Sequence, residues 1–214
     1  MSPTIPLEFD SERADRFVEE FSPLAGPLLD NPILTALIRS AAGNSPYLAR
    51  SMLKESAFLR ELFDKGPDDV LDELERAVAA IALESDVALV MQHLRIAKRR
   101  AALAIALADL AGIFPLQRVT QRLTRFADAC VKGALRFLLA EEAQKAGRRD
   151  ANPEQLEATT GLVVIAMGKH GAFELNYSSD VDLVVFYEDE RFPFTLRGEK
   201  RGAAVDLVKR LVRL

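Results

Sequence analysis

The chain has 214 residues, 49% of them hydrophobic and 28% charged, with a formal net charge of −4 at pH 7 and one cysteine, Cys130. These figures exclude disordered, collagenous and low-complexity classes, an internal disulfide framework, and any global electrostatic pull toward nucleic acid. The apolar run Ala101 to Ala108 falls far short of the ~18–20 residues a membrane span needs, and Met1 to Pro6 carries no signal-peptide pattern, so a cytoplasmic protein without membrane or nucleic-acid partners is expected.

From Ser11 to Gly147 the pattern predicts helices almost throughout, with breaks at Gly26-Pro27, Asn31-Pro32, Gly43 to Pro46, Gly66-Pro67 and Gly112 to Pro115. Pro67 suits a first helical turn, where its missing N–H is harmless, and Asp68-Asp69 place negative charge at the positive end of the helix dipole. Val70, Leu71, Leu74, Val78 and Ile81 then make one apolar stripe. A second helix is expected from about Ser85-Asp86 to Ala111. A third follows Pro115, with Val119, Leu123, Phe126, Ala127, Cys130, Ala134, Phe137 and Leu138 on one face. Long helices with polar outer faces pack as a bundle. Met52, Met91, Phe126, Phe137 and Cys130 read as core. The basic cluster Arg95, Lys98, Arg99 and Arg100 has two readings, a phosphate or partner patch and, favoured, a solvated face paired with neighbouring acids.

The polar stretch Gly147 to Pro153 reads as a linker, and after it the period changes. Gly161 to Met167 and Val181 to Tyr187 are short, continuously apolar and rich in β-branched residues. Such runs suggest strands covered on both faces in a mixed or parallel sheet. Glu188 to Glu190 form a charged loop, and Val205, Val208, Leu211 and Val212 recur at helical spacing in a last helix over Ala203–Leu214. The expected fold class is α+β, with an all-α helical lead-in over residues 1–150 followed by the first part of a mixed-sheet domain over 151–214. Two strands and a helix make a marginal domain, so the front part of a longer protein is expected.

The chemistry concentrates between the two strands. Gly168 and Gly171 let a turn aim N–H groups at an anion, and Lys169 adds a mobile cation to that turn. Asp180 and Asp182, two apart at the start of a strand, would share a face, where they repel each other unless a cation lies between them. Hard carboxylate oxygens select Mg²⁺ or Mn²⁺, and Mg²⁺ is commonly shared with substrate phosphates. Ser178 and Ser179 stand ready to add hydroxyl contacts. Either half of the pattern alone is commonplace; glycine turn and Asp-x-Asp in order within one short segment point to phosphoryl or nucleotidyl transfer.

The segment resembles the DNA-polymerase-β-type nucleotidyltransferase signature, a glycine turn followed about ten residues on by Asp-hydrophobic-Asp-hydrophobic. More narrowly, Gly168-Lys169-x-Gly171-x-x-Glu174-Leu175-Asn176-x-Ser178-Ser179-Asp180-x-Asp182-Leu183 resembles the glutamine synthetase (glutamate–ammonia-ligase) adenylyltransferase family, as do Leu94 to Arg100, Ile105-Ala106, Asp109-Leu110 and Leu123 to Ala129 upstream. The resemblance implies a nucleotidyltransferase-type sheet and a bifunctional parent enzyme. One copy removes AMP from glutamine synthetase by phosphorolysis, and a second adds AMP from ATP. It implies Asp180 and Asp182 as catalytic Mg²⁺ (or Mn²⁺) ligands. Gly168, Lys169 and Gly171 would face the nucleotide and phosphate, with Ser178 and Ser179 nearby. Glutamine synthetase, a nitrogen-signalling regulatory protein, ATP or ADP, and phosphate are the implied partners.

The lead-in before the motif resembles the N-terminal, adenylyl-removing copy. A docking module that keeps the fold, or a uridylyltransferase, are the alternatives. Ala172 stands where the family has the second of two glycines, which requires a negative φ there. His170 fills the family's leucine slot and reads as incidental rather than as a catalytic base. No third carboxylate is credibly placed after Asp182, so the 214 residues alone are expected to be inactive.

Overall fold

The computed structural model describes residues 5–83, 86–148 and 151–214. The start expected at Ser85 for the second long helix, the middle of the polar linker at Arg149-Asp150, and Met1 to Thr4 lie outside the described residues. Ten helices occur among them: α1 Ser11–Ala25, α2 Pro32–Asn44, α3 Pro46–Lys54, α4 Ser56–Lys65, α5 Pro67–Ala80, α6 Val87–Leu110, α7 Leu116–Lys145, α8 Pro153–Thr159, α9 Gly168–Gly171 and α10 Lys200–Arg213. The strands are β1 Leu162–Ala166 and β2 Leu183–Tyr187. No helix among the described residues is long and apolar enough to cross a membrane.

One local device starts three of these helices. Asn31, Ser45 and Asn152 each accept a backbone N–H of the first turn through the side-chain oxygen, while Pro32, Pro46 and Pro153 occupy the first helical position. The cap satisfies a donor that the helix leaves orphaned, and proline costs nothing where no bond was due. The third instance starts α8 at Pro153, the last residue of the stretch read as a linker.

The chain divides into two compact units. The first takes the residues up to Leu74 together with Lys98–Leu123; the second takes Glu75–Ala97 with Thr124–Leu214. The first unit is wholly helical, with Phe21, Ile38, Met52, Leu59, Leu71 and Leu103 fully buried. Two residues of the basic cluster, Arg99 and Arg100, pair with an acid as expected, but with a buried one. Arg99 Nη2 lies 2.5 Å from Glu55 Oε1 and Arg100 Nε 2.7 Å from Glu55 Oε2, and the Glu55 side chain is only 4% exposed. Arg100 also lies over the Phe58 ring. Arg122, likewise buried, meets Asp68 and Asp72.

The second unit packs the two strands and α10 with the C-terminal part of α7. β1 and β2 run antiparallel, in register from Leu162↔Tyr187 to Ala166↔Leu183. The pairing rules out a parallel β1–β2 pair, and the expected cover on both faces is corrected: Val163, Ile165, Val184 and Phe186 are exposed, and only the alternate residues turn inward. A continuous apolar run records which residues tolerate burial, not which are buried, and strand alternation still sends every second side chain outward. In α10 the buried residues are Ala203, Ala204, Leu207 and Leu211, while Val205 and Val212, expected on the apolar stripe, are exposed. Arg210 of this helix pairs with Glu141 and Glu142 of α7. Cys130 is half-buried rather than a core residue. Between β2 and α10, Phe192 and Phe194 turn into the core, with Phe192 edge-on to Tyr187 at 5.5 Å.

Candidate functional site

The site grows from the end of the sheet ladder. Past the last strand pair, the Met167 N–H donates to the Asp182 carbonyl at 2.8 Å, so Asp182 is tied beside the start of the glycine turn. β2 proper begins at Leu183, which leaves Asp180 and Asp182 in the segment leading into it rather than inside the strand. Both are exposed.

Two glycines shape the turn, for different reasons. Gly168 has φ +56°, in the left-handed region that side chains disfavour, and a Cβ built on it would lie 3.7 Å from Asp182 Oδ2. The carboxylate therefore stands over the turn. Gly171 has an ordinary φ, but a Cβ there would come 2.4 Å from the Ala166 carbonyl oxygen. Its N–H donates to the Met167 carbonyl at 3.1 Å, closing the single turn of α9. Ala172 has φ −84°, which meets the condition for replacing a glycine. The left-handed step falls one residue later, at Phe173 with φ 60°. An L-residue there stores about 1–2 kcal/mol of strain.

His170 is not incidental. It is 2% exposed, and its Nε2 lies 2.7 Å from Asp128 Oδ1 on α7. A carboxylate can only accept, so Nε2 carries the proton in that bond, and the buried Nδ1 has no partner among the described residues. His170 thus moors the turn to α7. It lines, with Asp128, Lys132 and Glu157, a cleft of about 180 Å³ against the inward face of the sheet. The signal for this mooring was the departure itself, a polar residue in an apolar slot.

The loop before the acids is built around Asn176. Its Oδ1 accepts the Ser178 N–H at 3.0 Å, the Ser178 hydroxyl at 3.2 Å and the Ser179 hydroxyl at 2.9 Å. Ser178 is exposed and Ser179 half-buried. Lys169 is exposed on the turn. The structure thus gathers Gly168, Lys169, Gly171 and Asp182 around one turn and delivers Ser178, Ser179 and Asp180 on the loop entering it.

Neither Asp180 nor Asp182 makes an ion pair with any described residue, although Arg and Lys elsewhere on the chain are extensively paired. Two exposed, uncompensated carboxylates offer the hard oxygen donors that Mg²⁺ or Mn²⁺ takes, so the residues present fit such a cation. No cluster of three or more His, Cys, Asp or Glu able to hold a metal occurs among the described residues.

Comparison with known proteins shows what the chain is similar to. The model of the family described as glutamate-ammonia ligase adenylyltransferase matches residues 35–213. A bifunctional glutamine synthetase adenylyltransferase/adenylyl-removing enzyme of Rhodopseudomonas palustris (strain HaA2) is 43% identical over 188 residues, which cover 86% of this chain and 19% of that protein. Proteins of the same name are 38% identical in Xanthobacter autotrophicus, over 98% of this chain and 22% of theirs, and 32% identical in Caulobacter vibrioides, over 100% and 22%. The chain spans about a fifth of the length of the curated relatives it matches.

Proposed function

The chain belongs to the glutamate-ammonia ligase adenylyltransferase family, and from that premise we propose that it is part of the adenylyl-removing half of a bifunctional enzyme acting on glutamine synthetase. The observation that carries the proposal is the pair Asp180 and Asp182, both exposed and without an ion pair among the described residues, with Asp182 held beside the Gly168 turn by the Met167–Asp182 backbone bond.

In this reading the reaction is phosphorolysis. An oxygen of inorganic phosphate forms a bond to the adenylyl phosphorus, the bond from that phosphorus to the tyrosine oxygen breaks, and ADP and the free tyrosine leave. Asp180 and Asp182 would hold one or two Mg²⁺ ions, whose contribution when bound is to neutralise negative charge on the phosphates. Lys169 supplies a second, mobile positive charge from the turn. Gly168 leaves room for a phosphate to approach the backbone beside Asp182. Gly171 serves the same end indirectly, by letting the turn close on the Ala166 carbonyl. Ser178 and Ser179 provide polar contacts at the loop. The work is positioning and charge compensation, as phosphoryl transfer generally requires. The opposite reaction, AMP addition from ATP, belongs to the other half of the parent enzyme, and a nitrogen-signalling protein would choose between them.

The test uses the full-length parent with adenylylated glutamine synthetase, phosphate and Mg²⁺, comparing wild type with Asp182→Asn. Release of ADP by wild type and a loss on the order of 10³-fold in the variant, about 4 kcal/mol, is the expected result. A variant that still releases ADP but no longer adds AMP would exchange the two halves. Unchanged release and addition would remove the aspartates from the chemistry and leave a docking module.

A further inference from the structure

We infer that Asn176 is the positioning residue of the acid pair, and that of its side-chain atoms only the oxygen is used. The inference rests on the reading of Asp180 and Asp182 as a cation site. Leu175 is buried, and Asp182 is tied to Met167. Between these two anchors Asn176, Tyr177, Ser178, Asp180 and Val181 are exposed, so packing does little to shape the stretch.

Hydrogen bonding at Asn176 shapes it instead. Oδ1 gathers three donors, the Ser178 N–H and the hydroxyls of Ser178 and Ser179. The backbone closes the same knot, with Asn176 N–H donating to Ser179 Oγ at 3.0 Å and Ser179 N–H to the Asn176 carbonyl at 3.1 Å. Asp180 follows directly, so the direction in which it leaves the loop is set by this knot.

The donor count adds a second consequence. Each serine hydroxyl has one proton, and both protons are directed at Asn176 Oδ1. What Ser178 and Ser179 present to their surroundings is therefore oxygen lone pairs, which suit a cation or an N–H group and not a phosphate oxygen. The loop is arranged as an acceptor surface beside two carboxylates.

Because only an acceptor oxygen is used, Asn176→Asp preserves the three bonds and Asn176→Ala removes them. The measurement is Mn²⁺ binding to this chain, followed by paramagnetic broadening of the Asp180 and Asp182 amide signals, for wild type, Asn176→Ala, Asn176→Asp and Asp182→Asn. Asn176→Ala should weaken Mn²⁺ about tenfold, the scale of losing a residue that orients a metal ligand, and Asn176→Asp should restore it to at least the wild-type level. Hydrogen exchange at the Ser178 amide, measured without metal, separates restored loop order from a new ligand: protection should persist in wild type and Asn176→Asp and vanish in Asn176→Ala. Wild-type Mn²⁺ binding in Asn176→Ala, with binding lost in Asp182→Asn, would overturn the role of Asn176 and leave the cation site standing. No Mn²⁺ broadening in wild type would overturn both.

Discussion

Glu55, in the helical unit, is buried and shared by Arg99 and Arg100, whereas Asp180 and Asp182, in the second unit, stand in solvent with no described cation opposite them. Burying a carboxylate costs several kcal/mol unless charge and hydrogen bonds compensate it, so the two arginines are the condition on which Glu55 can sit where it does. The aspartates keep their hydration and need no such condition to fold. In the proposed function a divalent cation would lie against them. Compensation within the fold thus separates an acid that holds the structure from the two acids to which the proposed function gives a cation.

The sharpest way to break that distinction is to treat both kinds alike. Glu55→Ala strands two guanidinium groups, which are 29% and 37% exposed and so partly rehydrate. Urea denaturation should show a loss of about 3 kcal/mol, at the low end for breaking a buried pair. Gly171→Ala should cost about 2 kcal/mol, since its methyl would collide with the Ala166 carbonyl and push the turn off β1. The same substitution pattern in reverse, Ala172→Gly, should leave the turn intact.

A smaller effect should appear in acid. Burial alone would raise the Asp68 carboxyl, but hydrogen bonds from Arg118 and Arg122 outweigh it and hold the group below its ordinary range. A lowered carboxyl contributes stability that is present above the unfolded value and is lost as pH falls through the folded one. Stability should therefore decline below about pH 4, and Asp68→Asn should flatten part of that decline in a pH series of thermal melts. Smallest of all, Asp180→Asn should change stability by no more than about 0.5 kcal/mol without divalent cations, with relief of repulsion as the favoured sign. Mg²⁺ should raise the melting temperature of wild type and not of that variant. A large loss in Asp180→Asn would mean the aspartates are structural after all.

Much of this was legible in the residues. Pro67 with Asp68-Asp69 marks a helix start, and the stripe Val70, Leu71, Leu74, Val78 is buried as its spacing requires. The glycine turn and the two aspartates are adjacent in sequence, and the strand pairing that joins them is local. What escaped were contacts between residues far apart: His170 with Asp128, Glu55 with Arg99 and Arg100, and Arg210 with Glu141 and Glu142. Phe192 and Phe194 escaped because the acids before them suggested solvent. Asn176 was on the page as a motif letter, and only the three bonds to its oxygen gave it a task.

The outward face of β1 and β2 carries a colloidal consequence. Val163, Ile165, Val184 and Phe186 lie side by side on a sheet of two strands, with unpaired backbone along both outer edges within the described residues. Such a surface is a template for further strands, and a net charge of −4 spread over 214 residues repels only weakly at physiological salt. Solubility, more than stability, will set the concentration at which this chain can be handled, and low salt is the direction in which that ceiling rises.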